Sequence, residues 1–193
     1  MTRPARRRAN APLVVGSDGY ASTARRIPSP NRDARPPGCP VTLLVVHGIS
    51  LPPGVFRGDA ILRLFTNRLD PAEHPYYASI AALRVSAHFL VRRDGALLQF
   101  VGCNERAWHA GQSRWQGRER CNDFSIGIEL EGTDDLPYTP AQYTTLARLV
   151  RALRRAYPIE AIVGHSDISP GRKTDPGGAF DWSRLHRLVG PRR

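Results

Sequence analysis

The chain has 193 residues, with 28 basic and 17 acidic side chains and a formal charge of +11. Its 41% hydrophobic content is enough to fill one core, and the length suits a single domain. This composition excludes a disordered or fibrous chain. The longest aliphatic run is far shorter than the roughly 20 residues that a membrane helix needs, and no secretory signal is visible.

The N-terminal part of the chain carries more than half of the net charge. Residues 1–35 hold eight Arg and two Asp, which is a net charge of +6. The stretch is rich in Pro, Arg and Ala and has no periodicity, so residues 1–24 are interpreted as a basic flexible leader and residues 25–193 as the folded domain. Such a tail could contact phosphates of nucleic acid. A solvated charge run is preferred, because no recognition-helix or aromatic pattern accompanies it.

Five short segments are predicted to be strands. The first is a continuous Val-rich run typical of a strand buried on both faces. The second and third flank Asp94-Gly95, a strong hairpin signal. In the fourth, apolar side chains alternate with polar or small ones, which predicts one apolar and one polar face. The predicted strands are residues 41–46, 85–93, 96–101, 125–131 and 161–163.

Three segments are predicted to be helices. The second begins with a capping box of Thr139 and Gln142, has Pro140 in its first turn, and ends before Pro158. The predicted helices are residues 60–65, 139–157 and 181–189. Strands and helices without internal repeats predict a single α/β domain, in which a central mixed β-sheet is flanked by helices.

Two histidines directly follow predicted strands, and each has a glycine neighbour. His47 follows the first strand, and His165 follows the last. A loop beyond His165 contains Asp167, Asp175 and Lys173, the only lysine among 28 basic residues. Two imidazoles and one carboxylate form a common three-ligand zinc set, and either aspartate could complete it. The lone lysine marks this loop, because a flexible point charge and a planar guanidinium are not interchangeable in a site.

Six segments occur together in an order that is typical of one family. They are VVH at 45–47, LRVSAH at 83–88, RAWHAG at 106–111, QGRERCND at 116–123, SIGIELEG at 125–132, and GH with KTDPG between 164 and 177. Over roughly residues 25–190 the chain closely resembles the AmpD-type 1,6-anhydro-N-acetylmuramyl-L-alanine amidases. These belong to a zinc amidase family that includes phage amidases and peptidoglycan recognition proteins.

The resemblance implies a zinc-dependent amide hydrolase. It implies that His47, His165 and Asp175 bind Zn²⁺, that Glu129 accepts a proton from the attacking water, and that Lys173 stabilises the transition state. The implied substrate is an anhydro-muropeptide recovered during peptidoglycan recycling, cleaved between the lactyl group of the sugar and L-alanine.

Glu129 has a rival on its own strand. Glu131 shares the predicted polar face, so it is the alternative proton acceptor. Gly127, beside Glu129, is expected to leave room for substrate because it has no side chain.

Four further residues inside the matching segments are candidates for substrate binding. Arg84 and Arg120 could anchor peptide carboxylates through bidentate pairs, with surface solvation as the alternative. Trp108 and His109 could form an apolar wall, although a tryptophan at this position could equally belong to the core. One departure is Gly48, where related amidases often have asparagine. Its effect is expected on substrate positioning and not on zinc binding.

The preferred hypothesis is a cytoplasmic, monomeric zinc amidase with no nucleic-acid or membrane partner. Three cysteines at unrelated spacings fit reduced thiols better than a disulfide framework. The alternatives are a periplasmic amidase acting on intact cell wall, a muropeptide-binding module without turnover, and a basic nucleic-acid binder.

Overall fold

The computed structural model describes residues 12–191, within which no helix is both long and apolar enough to cross a membrane. Its strands are β1 (Arg25–Arg26), β2 (Arg32–Ala34), β3 (Leu43–Ile49), β4 (Phe89–Val91), β5 (Leu97–Gln99), β6 (Glu105–Ala107), β7 (Arg114–Trp115), β8 (Arg118–Glu119), β9 (Ser125–Glu131) and β10 (Ala161–Gly164). Its α-helices are α1 (Ala60–Phe65), α2 (Pro75–Ile80), α3 (Pro140–Ala156), α4 (His165–Ile168) and α5 (Trp182–Val189).

Six strands form a central sheet in the order β1-β5-β4-β9-β3-β10. Strands β4, β9, β3 and β10 are parallel, whereas β5 pairs antiparallel with β4. The short strand β1 pairs parallel with β5. The ladders β2–β6 and β7–β8 lie outside this sheet. The predicted mixed sheet in a single α/β domain is confirmed.

Apolar side chains cover both faces of the sheet. In β3, Leu44 and Val46 join a core that contains the buried faces of α3 and α5, whereas Leu43 and Val45 join a second cluster with Phe124. Helix α1 packs in a third cluster with residues of β4 and β5. Each fully buried Leu or Val contributes roughly 1.5–3 kcal/mol, so β3 is held firmly from both sides.

The predicted elements are present, and several have different ends. The predicted bounds of α1 and β9 coincide with those observed. The capping box is formed, since Thr139 Oγ1 accepts a hydrogen bond from Gln142 N and Gln142 Oε1 accepts one from Thr139 N. The hairpin strands β4 and β5 are shorter than predicted, and β3 runs on to Ile49. Helix α2 and the short strands outside the predicted set carry too few residues to show a period.

The structure differs from the prediction of a flexible leader that extends through residue 24. Leu13, Ala21 and Ala24 are 5%, 1% and 7% exposed and belong to the main core. The Gln99 side chain in β5 accepts a hydrogen bond from Ala21 N at 2.8 Å. Packing of these small and apolar side chains therefore begins by Leu13. The first 11 residues of the predicted leader lie outside the described part of the chain.

Candidate metal centre

The candidate site lies where the carboxyl ends of three adjacent parallel strands meet. Strand β3 pairs with β9 so that His47 lies directly beside Glu129. On its other side β3 pairs with β10, with Gly164 opposite Val46, and His165 follows at the level of His47. Parallel pairing thus brings together two histidines that are 118 positions apart.

Three side chains converge on one point. The Nδ1 atoms of His47 and His165 are 3.0 Å apart, and each lies 3.2 Å from Asp175 Oδ2. Ligand atoms that are about 2.0–2.1 Å from a tetrahedral zinc ion lie roughly 3.3 Å from one another, so this spacing fits a bound metal ion. In the described part of the chain these side chains form the one group of three such ligands.

The ionisation of these side chains also suits a cation. Burial lowers the pKa of His47 to about 4, against the opposing effect of its hydrogen bond with Asp175. Burial by itself would raise the pKa of Asp175, but hydrogen bonds with His165 and His47 outweigh it and lower that pKa. At neutral pH, His47 is therefore a neutral imidazole and Asp175 an ionised carboxylate, which are the forms that bind metals.

The other aspartate of the loop has a different partner. Asp167 is exposed, and its Oδ2 accepts a hydrogen bond from Gly164 N at 2.7 Å at the start of α4. The backbone that follows Asp175 is held separately, because Pro176 O accepts a hydrogen bond from Tyr138 Oη at 3.0 Å. Of the two candidate carboxylates, the structure brings Asp175 to the histidines.

Glu129 is buried, with 8% of its surface exposed, and its Oε2 has no hydrogen-bond partner among the described residues. Burial raises its pKa well above the usual value, and the charge of Asp175 raises it further, whereas Lys173 opposes the shift. Lys173 is exposed, and its charge also lowers the pKa of His47. A buried carboxyl with a free oxygen and a raised pKa is suited to accept and release a proton.

Glu131, the rival of Glu129, is bound by arginines. Its Oε1 lies 2.9 Å from Arg92 Nε, and its Oε2 accepts a hydrogen bond from Arg93 N at 3.0 Å. The expected polar, solvent-facing side of β9 is not exposed, since all seven residues of the strand are buried. Segments distant in sequence cover that face. Within the part of the chain that the structure describes, Glu129 Oε2 is left without a hydrogen-bond partner.

His109 fills the space beside Gly127. Its Nδ1 lies 2.9 Å from His47 Nε2, and its Nε2 lies 3.1 Å from Ser125 Oγ. A Cβ atom at Gly127 would overlap the His109 ring, so the expectation that this glycine leaves room for substrate is wrong. The contact with His47 was missed in the sequence, although a glycine inside a strand is a signal of close approach by another group.

The remaining substrate-binding candidates are exposed or half-buried. Arg84 is exposed, and its guanidinium contacts carbonyls of the preceding turn at 3.3 and 3.4 Å. Arg120 has a side chain that is 71% exposed, and together with Gly111 it lines a groove of about 490 Å³. Trp108 is half-buried, and its backbone N–H donates a hydrogen bond to Ser86 Oγ at 3.1 Å.

Comparison with known proteins agrees with this geometry. The N-acetylmuramoyl-L-alanine amidase family matches residues 37–178. The chain is 61% identical over 173 residues to the 1,6-anhydro-N-acetylmuramyl-L-alanine amidase AmpD of Escherichia coli K12, which covers 89% of this chain and 94% of that protein. It is 52% identical over 169 residues to AmpD of Haemophilus influenzae, with coverage of 86% and 92%.

Solved structures show the same relationship. A selenomethionine derivative of AmpD matches with a TM-score of 0.88 at 59% identity, covering 90% of this chain and 98% of that one. Escherichia coli AmiD, in complex with anhydro-N-acetylmuramic acid-L-Ala-D-γ-Glu-L-Lys, matches with a TM-score of 0.57 at 29% identity, covering 92% of this chain and 65% of that one. The shared fold, the identity over nearly whole chains and the clustered ligands lead to one conclusion: the chain belongs to the N-acetylmuramoyl-L-alanine amidase family.

Proposed function

We propose that this chain hydrolyses the amide bond between the lactyl group of (1,6-anhydro-)N-acetylmuramic acid and L-alanine in muropeptides, during peptidoglycan recycling. The observation that carries the proposal is the convergence of His47, His165 and Asp175 beside the unpartnered carboxyl of Glu129. The AmpD relatives, which the chain matches over nearly their whole length, are named for this bond.

The donor set supports zinc as the metal, with His47, His165 and Asp175 as its ligands. Two neutral imidazoles and one carboxylate are typical of catalytic zinc sites, which keep a fourth position for water or substrate. When bound, zinc would polarise the substrate carbonyl and make the attacking water more acidic.

Glu129 moves the proton in this proposal. It accepts a proton from the attacking water and delivers it to the amine of L-alanine as the carbon–nitrogen bond breaks. Because Oε2 has no hydrogen-bond partner within residues 12–191, no hydrogen bond there must break before it accepts the proton. Burial raises its pKa and so favours the protonated form, which is the form that donates to the leaving amine.

Lys173 stabilises the negative charge that develops on the carbonyl oxygen. It lies two residues before Asp175 and is exposed, and its charge acts on both Glu129 and His47. Loss of one such donor typically costs roughly 2.7–4 kcal/mol of transition-state stabilisation. We expect Lys173→Met to lower kcat by about 10²–10³-fold while the protein still binds zinc.

Arg84 and Arg120 bind carboxylates of the peptide stem, and Trp108 contributes an apolar wall to the substrate site. Both arginines are exposed. To bind a substrate carboxylate, Arg120 would exchange its ion pair with Asp123 and Arg84 its contacts with backbone carbonyls. We expect Arg120→Ala and Arg84→Ala to raise KM with little change in kcat, because they act on a part of the substrate that does not react. Arg25→Ala, an exposed arginine of β1, is the matched control and should change neither constant.

We place this activity in the cytoplasm, in a monomer without nucleic-acid or membrane partners. Cys39, Cys103 and Cys121 are free thiols, as is usual in a reducing compartment. Light scattering on the purified protein should give a single mass near 21.4 kDa. Deletion of residues 1–11 should leave kcat/KM unchanged, and a large loss would show that the basic N-terminus belongs to the site.

Removal of the metal tests the central proposal. Dialysis against a chelator should abolish hydrolysis of anhydromuramyl-tripeptide, and one equivalent of zinc should restore it. Activity that is indifferent to chelation would contradict the metal assignment. A muropeptide-binding module would bind the same compound but release no peptide at any zinc concentration.

A further inference from the structure

We propose that His109 is a positioning residue for the metal centre: it accepts the Nε2–H of His47, and Ser125 holds His109 in the tautomer that can do so. This inference rests on the proposed function, since it assumes that His47 binds a metal through Nδ1. In this inference His109 orients the proposed metal ligand His47, whereas the sequence predicted that it forms a wall of the substrate site.

The tautomer of His47 follows from the positions of its two nitrogens. Nδ1 faces His165 and Asp175, so it must keep its lone pair for the metal. A neutral imidazole then carries its hydrogen on Nε2. The atom that faces Nε2, at 2.9 Å, is His109 Nδ1, which must therefore be the acceptor.

The tautomer of His109 follows in turn. With Nδ1 as acceptor, its hydrogen lies on Nε2, which is 3.1 Å from Ser125 Oγ. The His109 ring also packs over Gly127, where a Cβ atom would overlap it. The backbone is fixed as well, because Asn122 Oδ1 accepts hydrogen bonds from the amides of His109 and Ala110 at 3.1 and 2.9 Å.

The same short segment serves the second ligand. His165 Nε2 lies 3.3 Å from Ala110 O, so adjacent residues, 109 and 110, face the outer nitrogens of both ligand histidines. Ligand histidines usually donate this hydrogen to a carboxylate, a carbonyl or a water. An imidazole acceptor orients His47 without adding a negative charge, so it leaves the positive charge of the metal centre undiminished.

Zinc affinity of the full chain is the direct test, measured by competition with a chromogenic chelator. We expect His109→Phe, which keeps a planar ring but removes the acceptor, to weaken zinc binding by about 10–100-fold. His109→Asn, which restores an acceptor near the position of Nδ1, should recover most of this loss. Ser125→Ala should weaken binding by a smaller factor than His109→Phe.

Ser29→Ala is the matched control, because Ser29 is a buried serine whose hydroxyl donates to Phe65 O and accepts from Asn31 N, outside the metal centre. It should leave zinc affinity unchanged. Thermal unfolding of the metal-free variants measures any general loss of stability. If His109 positions His47, His109→Asn must recover zinc affinity and not only melting temperature.

The outcomes separate this inference from the function on which it rests. A wild-type chain that fails to bind zinc would overturn the proposed function. If the wild type binds zinc, and His109→Phe and Ser125→Ala bind it equally tightly, the positioning role is refuted and the amidase proposal stands. If His109→Phe raises KM and leaves zinc affinity unchanged, His109 contacts the substrate and does not position the metal ligand.

Discussion

Glu129 and Glu131 provide a matched test of the site, because they lie two residues apart on the same face of β9 and are both buried. Substitution by glutamine keeps the volume of each side chain and removes its negative charge. The two changes should have opposite effects. Glu129→Gln should lose turnover and keep its fold, whereas Glu131→Gln should lose stability and keep turnover.

For Glu129→Gln, the expected cost falls on kcat. Loss of a general acid–base group lowers the rate by about 10²–10⁴-fold, and zinc should still bind. Burial raises the pKa of Glu129 in the metal-free folded protein above its usual value of 4.5. Above pH 4.5 the unfolded chain therefore releases this proton, whereas the folded chain keeps it to higher pH. Wild-type stability therefore falls as pH rises above that value. The variant escapes this loss, so it should be at least as stable at pH 7.

For Glu131→Gln, the expected cost falls on the free energy of unfolding. The change removes the ion pair with Arg92, whose side chain is 26% exposed, and weakens the hydrogen bond from Arg93 N. Hydrogen bonds to charged groups contribute about 1.5–3 kcal/mol each. Glutamine keeps one acceptor, and burial raises the pKa of Glu131 despite these contacts, so removal of the charge offsets part of the loss. The net cost should be below about 2 kcal/mol, a fall in Tm of less than about 8 °C.

The assay is peptide release at saturating substrate, measured beside thermal unfolding and zinc content. The reasoning is refuted if Glu129→Gln keeps more than about a tenth of wild-type kcat. It is also refuted if Glu131→Gln loses kcat at an unchanged Tm, because the catalytic role would then belong to Glu131.

Three further predictions concern stability and are checked by urea unfolding. Gly48→Ala should be destabilising, because its Cβ would lie 2.5 Å from Tyr138 Oη. In the double variant, Tyr138→Phe should relieve part of that cost. Additive effects of the two substitutions on the free energy of unfolding would contradict the contact. Gly177→Ala, at φ +80° and against the Asp134 backbone, should cost about 2–4 kcal/mol, whereas Gly178→Ala should be nearly neutral. Arg35→Lys should cost about 2–4 kcal/mol, because one ammonium cannot reach the four backbone carbonyls that its guanidinium contacts; an unchanged midpoint would show that these contacts are dispensable.

Local patterns predicted the elements that carry their own signals. The capping box at Thr139 and the alternation in 125–131 depend on residues a few positions apart, and both elements have the expected bounds at those points. The ladders β2–β6 and β7–β8 carry two or three residues per strand. Their pairing is decided by contacts with distant segments, which no local period records.

The candidate site also combines features with local sequence signals and features that depend on distant segments. The position of His165 after β10 could be predicted, and so could the polar residues of β9. His47, predicted to follow its strand, lies inside β3, which continues to Ile49. What covers that polar face could not, because its partners come from elsewhere: His109 lies over Gly127, and arginines 92 and 93 bind Glu131. At Gly48, expected to affect substrate positioning, the space beside the backbone holds the hydroxyl of Tyr138.

The separation of the proposed metal ligands along the chain would make tolerance of mutation depend on metal supply. His47 lies in β3 and His165 follows β10, 118 positions away. The unfolded chain therefore has no preformed site, and a bound ion would stabilise the native state alone. A free metal concentration a thousandfold above Kd adds about 4 kcal/mol to the free energy of unfolding. Core substitutions in β3 or β10 that are harmless in metal-rich cells should therefore become conditional defects when the metal is scarce.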